Sequence, residues 1–141
     1  MPEAKVTEQL AYIVASVNRR LEEELQEQLR PAGVPLEQVR ILDVLDRHGA
    51  SAMGELATKA LIEPPTLTKI IDRMISDALV FRAPDPDDRR RVLILLAPAG
   101  KVLQKRLRKV LSAQEERLAK QLRQGKADEL RNLLRGLVGT D

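Results

Sequence analysis

Two short stretches of this 141-residue chain carry side chains suited to chemistry with a polyanion. The first is Pro65-Thr66-Leu67-Thr68-Lys69-Ile70-Ile71-Asp72-Arg73. Its apolar members, with Met74 and Ile75, recur at helical spacing, which leaves Thr66, Thr68, Lys69, Asp72, Arg73 and Ser76 on or beside the opposite face. Lys69 and Arg73 are one turn apart, so both heads can follow one row of phosphates. The second is Asp88-Arg89-Arg90-Arg91, behind a turn-rich Pro84-Asp85-Pro86-Asp87. Guanidinium groups match phosphate geometry through several planar donors. Residues 80–110 hold nine basic side chains and three acidic ones, an excess of six on a chain of net charge +3, so the other 110 residues sum to −3. A positive region on an acidic body is the pattern of a polyanion-binding surface. A solvated helix face accounts for the charge equally well at this point.

The rest of the composition excludes most other chemistry. With no Cys and a single His48, the chain has no disulfide framework, no thiolate nucleophile and no imidazole metal cluster, so neither a metal nor a cofactor is expected. Acidic runs such as Glu22-Glu23-Glu24 and Glu115-Glu116 fall on solvated helix faces with no base, nucleophile or glycine-rich phosphate loop nearby, and an enzyme is not expected. His48 precedes Gly49 at a helix end, where it suits the C-terminal dipole. Met53 and Met74 lie in apolar stripes and read as core. The only aromatics are Tyr12, expected in a partly buried position, and Phe81, which argues against modules that stack exposed bases. No segment approaches the roughly 20 apolar residues of a membrane span, and the N-terminus lacks a signal-peptide pattern, so a cytoplasmic location is expected.

Positioning these groups requires a scaffold, and 141 residues suffice for one domain burying roughly 68–70% of its unfolded surface. Apolar residues three or four apart from Val6 to Leu29 predict a long first helix, ended by Pro31, Gly33 and Pro35. A second helix carries Val39, Leu42 and Leu45 and closes near His48 and Gly49. Ser51 is the expected N-cap of a short third helix through Ala60. Pro64 and Pro65 fit the first turn of a fourth, running to Leu79, whose N-terminus would aim backbone N–H groups at a phosphate. Leu79–Arg82 and Arg91–Leu96 read as a hairpin with a long tip. A fifth helix opens at Pro98 and runs to about Gln124, and Gly125 separates it from a sixth over Ala127–Val138. Leucine stripes on the terminal helices exceed what the small central unit can cover. Packing against a second copy of the chain is the simplest remedy, and an intramolecular bundle the alternative.

A short helix, a tight turn, a helix with a polar outer face and a basic hairpin form the ground plan of a winged helix-turn-helix. Such a helix fits the major groove of duplex DNA while the hairpin reaches the flanking minor groove. On Pro65–Met74, on Leu79-Val80-Phe81-Arg82 and on the wing signature Asp88, Arg90, Ile94, Leu96 and Gly100, the sequence resembles the MarR family, the multiple antibiotic resistance regulators. The resemblance follows the whole helix order, with residues 53–100 as its specific part. It implies a mainly α fold with a small β-hairpin wing, formed by one domain over 1–141, with a winged helix-turn-helix over 36–98 and dimerisation helices over 5–30 and 99–140. It also implies a homodimeric, ligand-responsive repressor bound to an inverted-repeat operator. By the same resemblance Pro65, Thr66, Thr68, Lys69 and Arg73 contact DNA from the recognition helix, Arg90 enters the minor groove, Asp88 orients it, and Arg89 and Arg91 neutralise phosphates. An effector pocket between the dimerisation helices and the winged unit is implied, with no ligand named. Two departures from the family pattern stand out. Ala97 replaces a helix-capping Thr, at a cost of about 0.5–2 kcal/mol. Ala78 replaces a Gly, and a positive φ there would cost roughly 1–2 kcal/mol, so a somewhat different helix end is expected. The competing reading is a helical homodimer whose basic segment docks an acidic partner without binding DNA.

Overall fold

The computed structural model describes residues 5–123 and 125–139. A 3₁₀ turn over Val6–Glu8 leads through an extended Gln9 into α1 (Leu10–Leu29), so the expected first helix is broken near its start. Pro31 does not stop the chain at once. It sits inside a second 3₁₀ turn, Arg30–Ala32, which Gly33 closes at φ 67°. Then follow α2 (Leu36–His48), β1 (Ser51–Ala52), α3 (Met53–Ala60), α4 (Pro64–Ser76), β2 (Val80–Pro84), β3 (Val92–Leu96), α5 (Pro98–Leu122) and α6 (Lys126–Val138). The expected end of the fifth helix at Gln124, and the last residue of the 99–140 arm, lie outside the described residues.

α2 is the central element because its periodicity is apolar on nearly every side. Leu36, Val39, Ile41, Leu42, Val44 and Leu45 are all buried. Around them close Leu29, Leu56, Leu67, Ile71, Met74 and Ile94. Each such side chain contributes roughly 1.5–3 kcal/mol when fully removed from water. Met74 is buried as expected and Met53 packs at the margin of this core.

The wing contains a strand that the sequence does not announce. β1 pairs antiparallel with β3, Ser51 opposite Ile94 and Ala52 opposite Leu93, giving the sheet order β1-β3-β2. Two residues are too few for a visible alternation. Ser51 is therefore a buried strand residue whose hydroxyl donates to the Gly49 carbonyl at 2.9 Å, and Ala52 precedes α3 without a side-chain cap, which corrects the expected Ser51 cap. Arg82 opposes Ile94 and Pro84 opposes Val92. Pro84 fits because β2 is an edge strand.

α4 ends three residues before Leu79, and its end is regular. The Leu79 N–H donates to the Met74 carbonyl and the Ala78 N–H to that of Ile75, both at 2.9 Å, with Ala78 at φ 58°. This is the Schellman arrangement that normally recruits glycine. The expectation of a different helix end is thus wrong: Ala78 takes the glycine conformation and carries its strain. At the other departure, Pro98 starts α5 and Ala97 stands at the cap position with an extended backbone.

α5 is fastened to the helices beneath it by buried polar groups. The Gln104 amide reaches Asp43 of α2 at 3.5 Å and accepts from Arg108 at 3.1 Å, while Arg108 also pairs with Asp46 at 2.6 Å. Farther along, the Gln114 amide donates to the Leu21 carbonyl of α1 at 3.0 Å. What the winged unit cannot cover is the remainder of α1 and α6. Leu10, Ile13, Val14 and Val17 are exposed on one, Leu133 and Leu137 on the other. Tyr12, about 150° round α1 from that stripe, is 45% exposed and not in a core position. Between α1, α5 and α6 runs an apolar groove of about 330 Å³ lined by Leu21, Leu118, Leu130 and Leu134.

Candidate nucleic-acid interface

α4 projects its polar face because Leu67, Ile71 and Met74 are completely buried on the other. At 100° per residue, Pro65, Lys69 and Ser76 lie opposite that buried stripe, with Thr68 and Asp72 on one flank and Thr66 and Arg73 on the other. All seven are exposed. Two of the hoped-for backbone donors are missing, however. The helix starts at Pro64, so its first two positions are prolines without N–H groups, and the Leu67 N–H is already bonded to the Glu63 carbonyl at 2.9 Å. The expected phosphate site at this helix end is therefore stripped of most of its donors. The Thr68 hydroxyl donates back to the Pro64 carbonyl at 3.2 Å, which commits its proton inside the helix.

Carboxylates hold several of the cations. Arg73 pairs with Asp77 one turn on, at 3.2 Å, so it turns away from Lys69 rather than extending its row. Arg82 on β2 pairs with Asp72 on α4 at 2.6 Å and braces the wing against the helix. Arg91 pairs with Glu55 of α3 at 2.5 Å and lies 3.8 Å from Asp85, anchoring the wing root to α3. Among the described residues, Lys69, Arg89 and Arg90 make no such pair. The wing tip is set by main-chain bonds. Asp85 accepts the Asp87 N–H at 2.9 Å, and Asp88 accepts the Arg90 N–H at 3.0 Å. Asp88 thus fixes the backbone that carries Arg90, not its guanidinium.

A family model described as the MarR family matches residues 32–91. The HTH-type transcriptional regulator Mb0904 of Mycobacterium bovis is 34% identical over 103 residues, spanning 73% of this chain and 70% of that protein. The chain belongs to the MarR family. Its fold is also that of the transcriptional repressor CouR bound to a 23-mer DNA duplex, with TM-score 0.85 and 25% identity over 98% of this chain and all of that one. NadR in complex with 4-hydroxyphenylacetate superposes at TM-score 0.86 and 25% identity over the whole of both chains. The protein is a DNA-binding transcriptional regulator, and its MarR relatives are regulators rather than enzymes.

In this MarR chain the sequence-derived site residues fall on two neighbouring surfaces, α4 and the wing. The structure brings Asp88 to Arg90 and separates Arg73 from Lys69. Sequence reasoning passed over two of the three braces, Glu55 and Asp77, and placed the third, Asp72, on the polar face. Asp77 was legible, being four residues from Arg73 on one helix. Glu55 and Arg91 are 36 residues apart and meet only through the fold. No group of three or more His, Cys, Asp or Glu among the described residues is arranged to hold a metal, and no described helix is long and apolar enough to cross a membrane. A second cavity of about 550 Å³ opens between the end of α2, the sheet and the first turns of α5, lined by Leu45, Phe81, Leu96, Lys101 and Lys105.

Proposed function

We propose that the protein is a homodimeric, ligand-responsive repressor that sets α4 of each protomer in successive major grooves of an inverted repeat and Arg90 in the flanking minor groove. The observation that carries this reading is the pairing pattern: among the described residues, Lys69, Arg89 and Arg90 are left without ion-pair partners on the two surfaces that a winged helix-turn-helix turns toward DNA. A narrow A/T-rich minor groove concentrates negative potential, and a guanidinium on a backbone already fixed by Asp88 loses little entropy on entering it. Residues 36–98 form the DNA-reading unit. Residues 5–30 and 99–140 form the arms, whose exposed leucine faces and apolar groove suit a second copy of the chain. The protein acts in the cytoplasm, without a cofactor and without catalysis.

An effector works by binding the two spacings of the recognition helices with different affinity. The cavity at Phe81 supports an anionic ligand. Leu45, Phe81 and Leu96 give it an apolar lining, its Asp46 is paired with Arg108, and its Lys101 and Lys105 are in no ion pair among the described residues, which suits a carboxylate such as 4-hydroxyphenylacetate, the ligand of NadR.

The test is titration of a duplex selected from a random pool against a scrambled duplex, from low to physiological salt. Specific affinity should fall steeply with salt, by about 0.9 in log–log slope per phosphate contacted. Half-sites should lie about one helical turn, 34–36 Å, apart. Arg90→Ala should weaken binding at least tenfold. Failure of the wild-type protein to bind any duplex, or full affinity in Arg90→Ala, would refute the assignment and favour a helical dimer that docks an acidic protein.

A further inference from the structure

The leading turn of α4 is unusual for a surface that meets a polar groove. Pro64 and Pro65 have no N–H, and both are exposed. The Thr68 hydroxyl on their flank has given its proton to the Pro64 carbonyl at 3.2 Å, and the exposed Thr66 lies about 100° round the helix from Pro65 and about 160° from Thr68. What this flank of the turn presents is therefore two pyrrolidine rings and the Thr68 methyl, with no hydrogen-bond donor among them, while the Thr66 hydroxyl and amide sit on the opposite flank. Polar reading begins one turn later at Lys69. In the major groove each base edge offers donors or acceptors, and the one apolar feature is the C5 methyl of thymine. A surface without donors leaves guanine and adenine N7 acceptors unpaired and desolvated, which penalises purines at the base it covers.

We propose that Pro65 and Thr68 form a methyl reader that selects one thymine in each half-site of the operator. This rests on the reading that α4 lies in the major groove, and the two can fail separately. Removing one buried methyl changes affinity by about fourfold, and removing it in both half-sites of a dimeric complex by about fifteenfold.

The experiment uses the full chain and a duplex selected from a random pool, resynthesised with deoxyuridine at one thymine position at a time. Uracil keeps every hydrogen-bonding group of thymine and lacks only the methyl. One position per half-site should lose about fourfold in affinity on the change to deoxyuridine. At that position a C5-methylated cytosine should bind better than plain cytosine. Thr68→Ser, which keeps the hydroxyl and deletes only the methyl, and Pro65→Ala should each shrink the thymine-to-uracil ratio toward one. Lys69→Ala should weaken both duplexes alike. A selected site without thymine in the half-sites overturns the proposal, as does a ratio of one at every thymine. A uracil effect that survives both Thr68→Ser and Pro65→Ala also overturns it, because the methyl is then read elsewhere. In those three cases a loss of binding in Lys69→Ala leaves α4 in the groove; full binding in Lys69→Ala and Arg90→Ala removes the underlying reading as well.

Discussion

Gly100 is the position where one added carbon should do the most damage. It lies in the first turn of α5, buried, and a Cβ built on it would sit 2.0 Å from the Leu79 carbonyl oxygen, 3.0 Å from its carbon and 3.4 Å from a Leu96 methyl. The oxygen contact falls short of ordinary van der Waals separation by about 1.5 Å. It cannot be relieved by a rotamer change, because Leu79 is the residue that closes α4 and enters β2. The same carbonyl accepts the Ala97 N–H at 3.0 Å, so moving it also strains the bond that seats the start of α5. Overpacking of this kind costs about 1–3 kcal/mol and a lost hydrogen bond about 1 kcal/mol, against a gain of about 1 kcal/mol from replacing glycine by alanine in a helix. With backbone as the obstacle the upper end applies, and Gly100→Ala should lose about 3 kcal/mol, or about 10 °C in Tm. The assay is urea and thermal unfolding at equal protein concentration, since a dimer's stability depends on it. Gly54 in α3 is the control: a Cβ there meets nothing within 4 Å, and Gly54→Ala should be neutral or stabilising by up to about 1 kcal/mol. A Gly100→Ala protein as stable as wild type, or a Gly54→Ala protein as weakened as Gly100→Ala, would refute the reasoning.

Ala78→Gly should stabilise by about 1 kcal/mol, because it relieves a φ of 58° at an exposed site and the strain removed exceeds the extra freedom of glycine in the unfolded chain. The urea midpoint should rise with an unchanged slope. The hydrogen bond from Arg40, at 2.8 Å, is the largest influence holding the Glu22 carboxyl below its ordinary value of 4.5; burial opposes it, and Asn18 and the Arg40 charge add to it. A depressed folded value means stability that is present above 4.5 and lost as pH falls through the folded value, so wild type and Glu22→Gln should differ in Tm at pH 7 and converge in acid. Asp77→Asn should free Arg73 for phosphate, tightening binding at low salt and steepening the log–log salt slope by about 1.8 per dimer. An unchanged slope would mean that Arg73 never reaches DNA.

How far the fold could be read depended on the range of the signal. The helices announced themselves because Leu, Ile and Val recur every three or four residues, and Pro64, Pro98 and Gly125 sit at their starts and breaks. β1 stayed hidden because Ser51 and Ala52 are too short a run to alternate, and they become a strand only when β3 lies beside them. The Ser51 cap failed for the same reason: a serine before a helix is a cap by local rules, yet here pairing with Ile94 claims it first. Tyr12 was misplaced because an aromatic ring suggests a core, whereas its helical phase sets it opposite the Leu10, Ile13 and Val17 stripe of α1. At the site, residue types and helical phase placed Lys69 outward. Of the ion pairs that decide which cations are available, Arg73–Asp77 is local, but Arg82–Asp72 and Arg91–Glu55 join residues 10 and 36 apart, which nothing local encodes.

Those ion pairs alter what the basic segment is for. Nine basic residues over 80–110 suggest strong, indiscriminate attraction to phosphate. Yet Arg82 and Arg91 are spent on joining the wing to α4 and α3, Arg108 joins α5 to α2, and Arg73 on the helix itself is tied to Asp77. Exposed pairs of this type are each worth only about 0.2–1 kcal/mol, so they do not hold the fold together. Their effect is to lower the number of free charges facing DNA while fixing where the remaining ones stand. Under the proposed docking, counterion release still supplies much of the affinity, and the fit of a few groups, among them Lys69 and Arg90, supplies the selectivity.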